Sequence, residues 1–252
     1  MKREREEAIL KCLKVRILLR GDMFRGGLTR HRGLDFSEKN VDKQRRILES
    51  VKKYVIVPLA ELGAEVVVTA ICPWYEGDAW YEGDVAEERR KLAVSLLSSV
   101  TKDIREVPNG PTQFSRPFDC IANLLSSGDE SDVFFIIRLD MFWFARLDFE
   151  TCFSTNNPKD TLLHSCSSGD AVLDWIQWIP RKHLLSYVLA VHADSPVNKF
   201  GEPLVNTMGD PYGSGQWVMR RLHPSVPRAC FFVVPPEKLI YNGIIQLACE
   251  IV

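Results

Sequence analysis

The run Val133-Phe134-Phe135-Ile136-Ile137-Arg138-Leu139 constrains the fold of this chain more than any other stretch. It has no polar/apolar alternation, and β-branched and aromatic residues dominate it. Such a run suits a strand covered on both faces, as in a parallel sheet between helical layers. Asp140 follows at once. A carboxylate where a buried strand emerges is costly unless it meets a cation, a donor or water. Open α/β sheets bind ligands outside the carboxyl ends of their strands, so a metal or phosphate ligand is expected here.

The flanking sequence repeats the theme. Val15–Leu19 and Ala64–Ile71 are two further parallel-type strands. Between them Val41–Leu62 has helical periodicity, with Ile47, Leu48, Val51, Val55 and Leu59 returning on one face. Gly63 ends that helix, and Pro58 is expected to kink its last turn. Val85–Leu97 and Pro117–Leu125 read as helices, and Asp103–Val107 as a short strand. Strand and helix thus alternate up to about residue 150, which implies a parallel sheet with right-handed crossovers.

Beyond that point the pattern loosens to α+β. Ser154–Gly169 reads as polar and irregular, Val172–Ile179 as a strand and Pro180–Ala190 as a helix. Phe231–Val234 and Ile244–Val252 are strands expected to pair antiparallel at an edge. The chain's 252 residues are read as a single domain, 1–252, with a soft division near 150.

A formal net charge of −1 gives no global field for nucleic acid or membrane. The seven scattered cysteines lack CxxC pairs and zinc-type spacing, arguing for a reducing compartment and against a disulfide framework. No apolar run approaches the roughly 18–20 residues of a membrane helix. The expectation is a cytoplasmic protein, or a soluble domain whose targeting segment is absent.

Three constellations bear on chemistry. The loop after the first strand, from Arg20 to Gly33, carries Arg20, Gly21, Arg25 and Gly26. Arginine forks match phosphate bidentately, and glycines let backbone N–H groups approach an anion. It is neither a Walker A loop nor a GxGxxG fingerprint. The second is Arg138-x-Asp140, read either as an ion pair or as a divalent-cation site, Asp140 being the ligand. The third is Asp174 beside Trp175 and Trp178, read either as core or rim tryptophans or as a sugar-binding ledge where the carboxylate would serve as a general base. A separate aromatic loop, Trp74 to Tyr81, would suit a binding surface.

Phe134-Phe135-Ile136-Ile137-Arg138-Leu139-Asp140, together with Val15–Gly27 (VRILLRGDMFRGG), resembles the GT-A glycosyltransferases, in which a DxD motif holds the metal that grips a nucleotide-sugar diphosphate. Arg138 stands where the first aspartate of that motif would be. The resemblance implies an α/β fold with a mostly parallel, Rossmann-like three-layer sheet and a looser α+β C-terminal part. It implies a nucleotide-binding half at 14–150 and an acceptor-side half at 151–252. It further implies Asp140 as metal ligand, Mn²⁺ or Mg²⁺ as cofactor, and Arg20, Gly21, Arg25, Gly26 and Arg138 as diphosphate contacts. The partners implied are a nucleotide-sugar donor and a glycan or small-molecule acceptor. Two other readings stay open: a sulfo- or phosphotransferase on the same plan, and a non-catalytic domain binding through the aromatic loop.

Overall fold

The three apolar runs become neighbouring parallel strands. β1 (Lys14–Arg20) pairs with β2 (Glu65–Ile71) on one side and β4 (Val133–Arg138) on the other. The structure is a computed structural model describing residues 11–21, 23–24, 35–71, 85–105, 116–147, 149, 153, 157–166, 172–192, 225–226, 228–233, 246–247 and 249–251. Among these residues the main sheet has eight strands, ordered β3-β2-β1-β4-β7-β6-β8-β9. The other members are β3 (Asp103–Arg105), β6 (Leu162–Cys166), β7 (Val172–Pro180), β8 (Arg228–Val233) and β9 (Gln246–Leu247). β7 is antiparallel to both its neighbours, and every other pairing in this sheet is parallel.

The helices explain why both faces of the central strands are apolar. On one face pack α1 (Glu38–Val51), its continuation through a π turn (Lys52–Ile56) into α2 (Val57–Glu61), and α3 (Ala86–Leu97). Leu48, Val51, Val55, Leu59, Ala93 and Leu97 meet Val15, Ile17, Leu19, Phe135 and Ile137 there. On the other face α4 (Arg116–Ser126) and α5 (Leu184–His192) pack Phe118, Ile121, Leu124 and Tyr187 against Leu18, Phe134 and Ile136. The result is a three-layer α/β domain with the order 3-2-1-4 of a Rossmann-like half.

Local sequence signals account for the element ends. Gly63, at φ 86°, closes α2, its N–H reaching the Ala60 carbonyl at 3.0 Å. The irregularity in the long helix falls before Pro58, at the π turn, and Pro58 sits in the first turn of α2, where its missing N–H costs little. The π turn has a use. The Tyr54 carbonyl accepts from the Leu147 N–H at 3.0 Å, and the Ser50 hydroxyl accepts from the Trp143 N–H at 3.0 Å. Both bonds fasten the segment after β4 to the helix.

Two expectations for the later chain are corrected, and one short strand is added. Residues 162–166, read as irregular, form β6, because the half-polar sequence LLHSC is held by ladders to β7 and β8 rather than by its own periodicity. Met141–Trp143 forms a short strand, β5. β8 and β9 are parallel, not antiparallel, whereas β10 (Cys249–Ile251) leaves the sheet and pairs antiparallel with β5. Strand partners at this distance are not encoded in local pattern.

At the amino ends of the central strands an ionic network replaces apolar packing. Arg16 reaches Asp129 at 2.5 Å, Asp103 at 3.1 Å and the Thr69 hydroxyl at 2.7 Å. Burial alone would raise both carboxylic acids. The Thr69 hydroxyl, Arg105 and Arg16 outweigh it at Asp103, and Ser131 and Arg16 outweigh it at Asp129, so both titrate below the usual range.

Candidate functional site

The helices that follow β1 and β2 cover one face, and the helix that follows β3 covers the other. The winding therefore reverses between β1 and β4. Such a switch point opens a crevice outside the strand carboxyl ends, the favoured ligand position in open α/β sheets. β1 ends there with Arg20 and β4 with Arg138, and the two are in-register partners. In a parallel ladder, partners project from the same face, and strands lie about 4.8 Å apart. The two arginines thus leave the same face of neighbouring strands at the switch point. By alternation from Leu18 and Ile136 they lie on the α4/α5 side.

Arg20 is 3 % exposed, so the fold carries a buried positive charge at this place. Its charge is felt by the Tyr187 hydroxyl, which burial drives well above the ordinary value while Arg20 pulls it back. Tyr187 Oη and Gln177 Nε2 are both buried without a hydrogen-bond partner among the described residues. Gly21 follows Arg20 at φ 103°, a conformation that an L side chain rarely adopts, and turns the chain out of β1.

One residue that sequence reasoning missed organises both loops. Gln44 of α1, 3 % exposed, accepts from the Phe24 N–H at 3.2 Å and donates to the Leu139 carbonyl at 2.8 Å. Leu139 N–H in turn donates to the Arg20 carbonyl at 2.7 Å. The two strand ends are thereby tied to each other and to the helix. Phe24 is held at φ 60°, left-handed backbone for a bulky residue, with its ring 4.8 Å from that of Phe36. The Asp35 N–H donates to the Phe24 carbonyl at 2.7 Å. The only hint in sequence is a polar residue on the apolar side of an amphipathic helix.

Arg138 and Asp140 form an ion pair with two contacts. Nε reaches Oδ1 at 2.7 Å and Nη2 reaches Oδ2 at 2.5 Å, the fork-to-fork geometry of a strong charge-assisted pair. The Asp140 side chain is 4 % exposed. A divalent cation there would have to displace or share a carboxylate already held at both oxygens. The described residues there, two arginines and one carboxylate, do not fit one. Among the described residues no group of three or more His, Cys, Asp or Glu is placed to hold a metal ion.

Asp174 lies near the start of β7. β7 runs opposite to β4, with Val133 opposite Pro180 and Ile137 opposite Ile176, so its beginning lies at the edge where β4 ends. The backbone thus brings Asp174 to the same sheet edge as Arg20, Gly21, Arg138 and Asp140. Arg25, Gly26 and the aromatic loop 74–81 lie outside the described residues. Trp178 belongs to the core, its ring 5.4 Å from that of Phe135 and its indole N–H donating to the Pro158 carbonyl at 2.9 Å.

No family model matches the chain, and no curated protein matches it. Solved structures similar to it include the glycosyltransferase GlyE of Streptococcus pneumoniae TIGR4, at 9 % identity and a TM-score of 0.40, over 87 % of this chain and 45 % of that one. The chain thus spans under half the length of that enzyme. The inositol-1-phosphate CTP transferase from T. maritima is similar at 13 % identity and a TM-score of 0.40, over 88 % and 86 % of the two chains. A 4-diphosphocytidyl-2C-methyl-D-erythritol synthase is similar at 10 % identity and a TM-score of 0.43, over 86 % and 88 %. Likeness at this level says nothing about residues or chemistry, and the strand order itself defines the architecture. Among the described residues no helix is long and apolar enough to cross a membrane.

Proposed function

We propose that this protein is a transferase that binds a nucleotide-diphosphate sugar at the β1/β4 switch point and passes the sugar to an acceptor. The observation that carries the reading is the in-register pair Arg20 and Arg138 at the carboxyl ends of adjacent parallel strands. Two arginines beside a crevice supply the planar donors that a diphosphate accepts.

In this reading the two guanidiniums orient the diphosphate and stabilise the charge that grows on it as the sugar leaves. Gly21 lets backbone approach the phosphates. Arg25 and Gly26 extend the contact. Asp174 is the general base that takes the proton of the acceptor hydroxyl. The later half of the chain, 151–252, shapes the acceptor side, and the acceptor is a glycan or small molecule.

The test is calorimetric titration of the whole chain with UDP, GDP and TDP and with their sugar conjugates. Binding of one nucleoside diphosphate, weakened by Arg20→Ala, is the expected result. Failure of every donor to bind at millimolar concentration overturns the reading. Binding of a sulfonucleotide or nucleoside triphosphate alone would instead make the protein a sulfo- or phosphotransferase.

A further inference from the structure

We propose that the site takes its diphosphate free of any divalent cation, with the Arg138 guanidinium, fixed by Asp140, supplying the charge neutralisation that a bound metal would otherwise provide. The inference rests on the nucleotide-diphosphate reading above and deepens it.

Three observations carry it. First, both Asp140 oxygens are engaged, at 2.7 and 2.5 Å, by one planar group. A hard cation binds through carboxylate oxygens, and here they serve a guanidinium instead. Second, Arg20 is the in-register partner of Arg138 on the neighbouring strand, so a second arginine ends at the same strand edge. A divalent cation at Asp140 meets repulsion from the Arg138 guanidinium already on that carboxylate, in a place where little water screens it. A diphosphate meets attraction from the same charge. Third, Asp140 acts on Arg138 as an aligner. A guanidinium has five N–H donors in a rigid plane, and a contact using Nε and Nη2 fixes the direction of that plane. Leu139 N–H, bonded to the Arg20 carbonyl at 2.7 Å, fixes the backbone between them.

Asp140 is therefore a positioning residue for Arg138, and Arg138 is the group that meets the ligand.

The experiment has two arms on the intact protein. UDP, GDP and TDP are titrated in EDTA and again in excess Mn²⁺, with wild type, Arg138→Gln and Arg138→Lys. The expected result is the same Kd in EDTA and in Mn²⁺ for wild type. Arg138→Gln should bind roughly tenfold or more weakly, with no rescue by Mn²⁺, and Arg138→Lys should recover part of the loss. Nucleotide binding that requires Mn²⁺ overturns the inference while leaving the transferase reading intact. Failure of all three nucleotides in both conditions overturns the reading and the inference with it. The second arm titrates Mn²⁺ alone into wild type, followed by electron paramagnetic resonance, and needs no variant to fold. No saturable Mn²⁺ site below millimolar concentration is expected. A saturable site lost in Asp140→Asn overturns the inference whatever the nucleotides do.

Discussion

Gln44 Nε2 donates to the Leu139 carbonyl at 2.8 Å, joining residues 95 positions apart in the chain. Its Oε1 holds the Phe24 N–H at 3.2 Å, so one buried amide satisfies a group on each of the two loops that flank the candidate crevice. Backbone groups so deep must be paired, and no strand ladder reaches them. The amide is the substitute.

Gln44→Leu keeps the volume and removes both bonds, leaving a buried N–H and carbonyl without partners. Stability should fall by about 1–3 kcal/mol, measured by urea unfolding at equilibrium. Ligand affinity should fall as well, because both strand ends lose their common tether. Unchanged stability would show that Gln44 is not the clamp.

Asp140→Ala leaves the largely buried Arg138 guanidinium without its two-point partner. The expected loss is about 3–5 kcal/mol, the range for breaking one side of a buried pair. Replacing both, as Arg138→Met with Asp140→Leu, should cost less than the single change. Denaturant unfolding of the two variants and wild type gives the comparison, and a double variant worse than Asp140→Ala would refute the pairing energetics.

The Arg16 network makes an acid-sensitivity prediction. Asp103 and Asp129 titrate below the ordinary carboxylate value in the folded chain, so on acidification the unfolded chain takes up protons first. Their stabilisation is complete above about pH 4, the unfolded value, and is lost as pH falls through the depressed folded values. Asp129→Asn should lower Tm at pH 7, and the gap to wild type should close progressively below about pH 4. A gap unchanged down to about pH 3 would contradict this.

Burial pushes the Cys120 thiol up to about 11, whereas Cys12 is exposed. The thiolate is the reactive form. Iodoacetamide at pH 8 should therefore modify Cys12 and spare Cys120 until denaturant is added, read by peptide mass spectrometry. Equal labelling of both in the native protein would show that the α4 face is open.

Much of the first half of the fold is legible in the chain. The runs at 15–19, 64–71 and 133–139 are apolar on both pleat faces, which only a sheet between two helical layers can bury, and they form β1, β2 and β4. Of the candidate site, the arginines and Asp140 show by chemical type, at ends of strands that periodicity already marks. The ion pair between Arg138 and Asp140 was one of two readings, since residues two apart beyond a strand can bond each other or a third group.

Gln44 was not legible. A glutamine on the apolar side of a helix names no partner, and only the approach of Phe24 and Leu139 makes its amide necessary. β6 was missed for a similar reason, as its hydrogen bonds come from β7 and β8 and its own residues carry little period.

Local periodicity and residue type by themselves determine that this chain builds parallel strands near 15–19, 64–71 and 133–139 under two helical layers, with arginines at or next to two of their ends. The neighbour relations belong to the tertiary structure: Arg20 beside Arg138, Asp174 on the same sheet edge through the reversed β7, and Gln44 between two distant loops. Those relations depend on crossover handedness and non-local ladders, which bring together groups that no stretch of sequence contains.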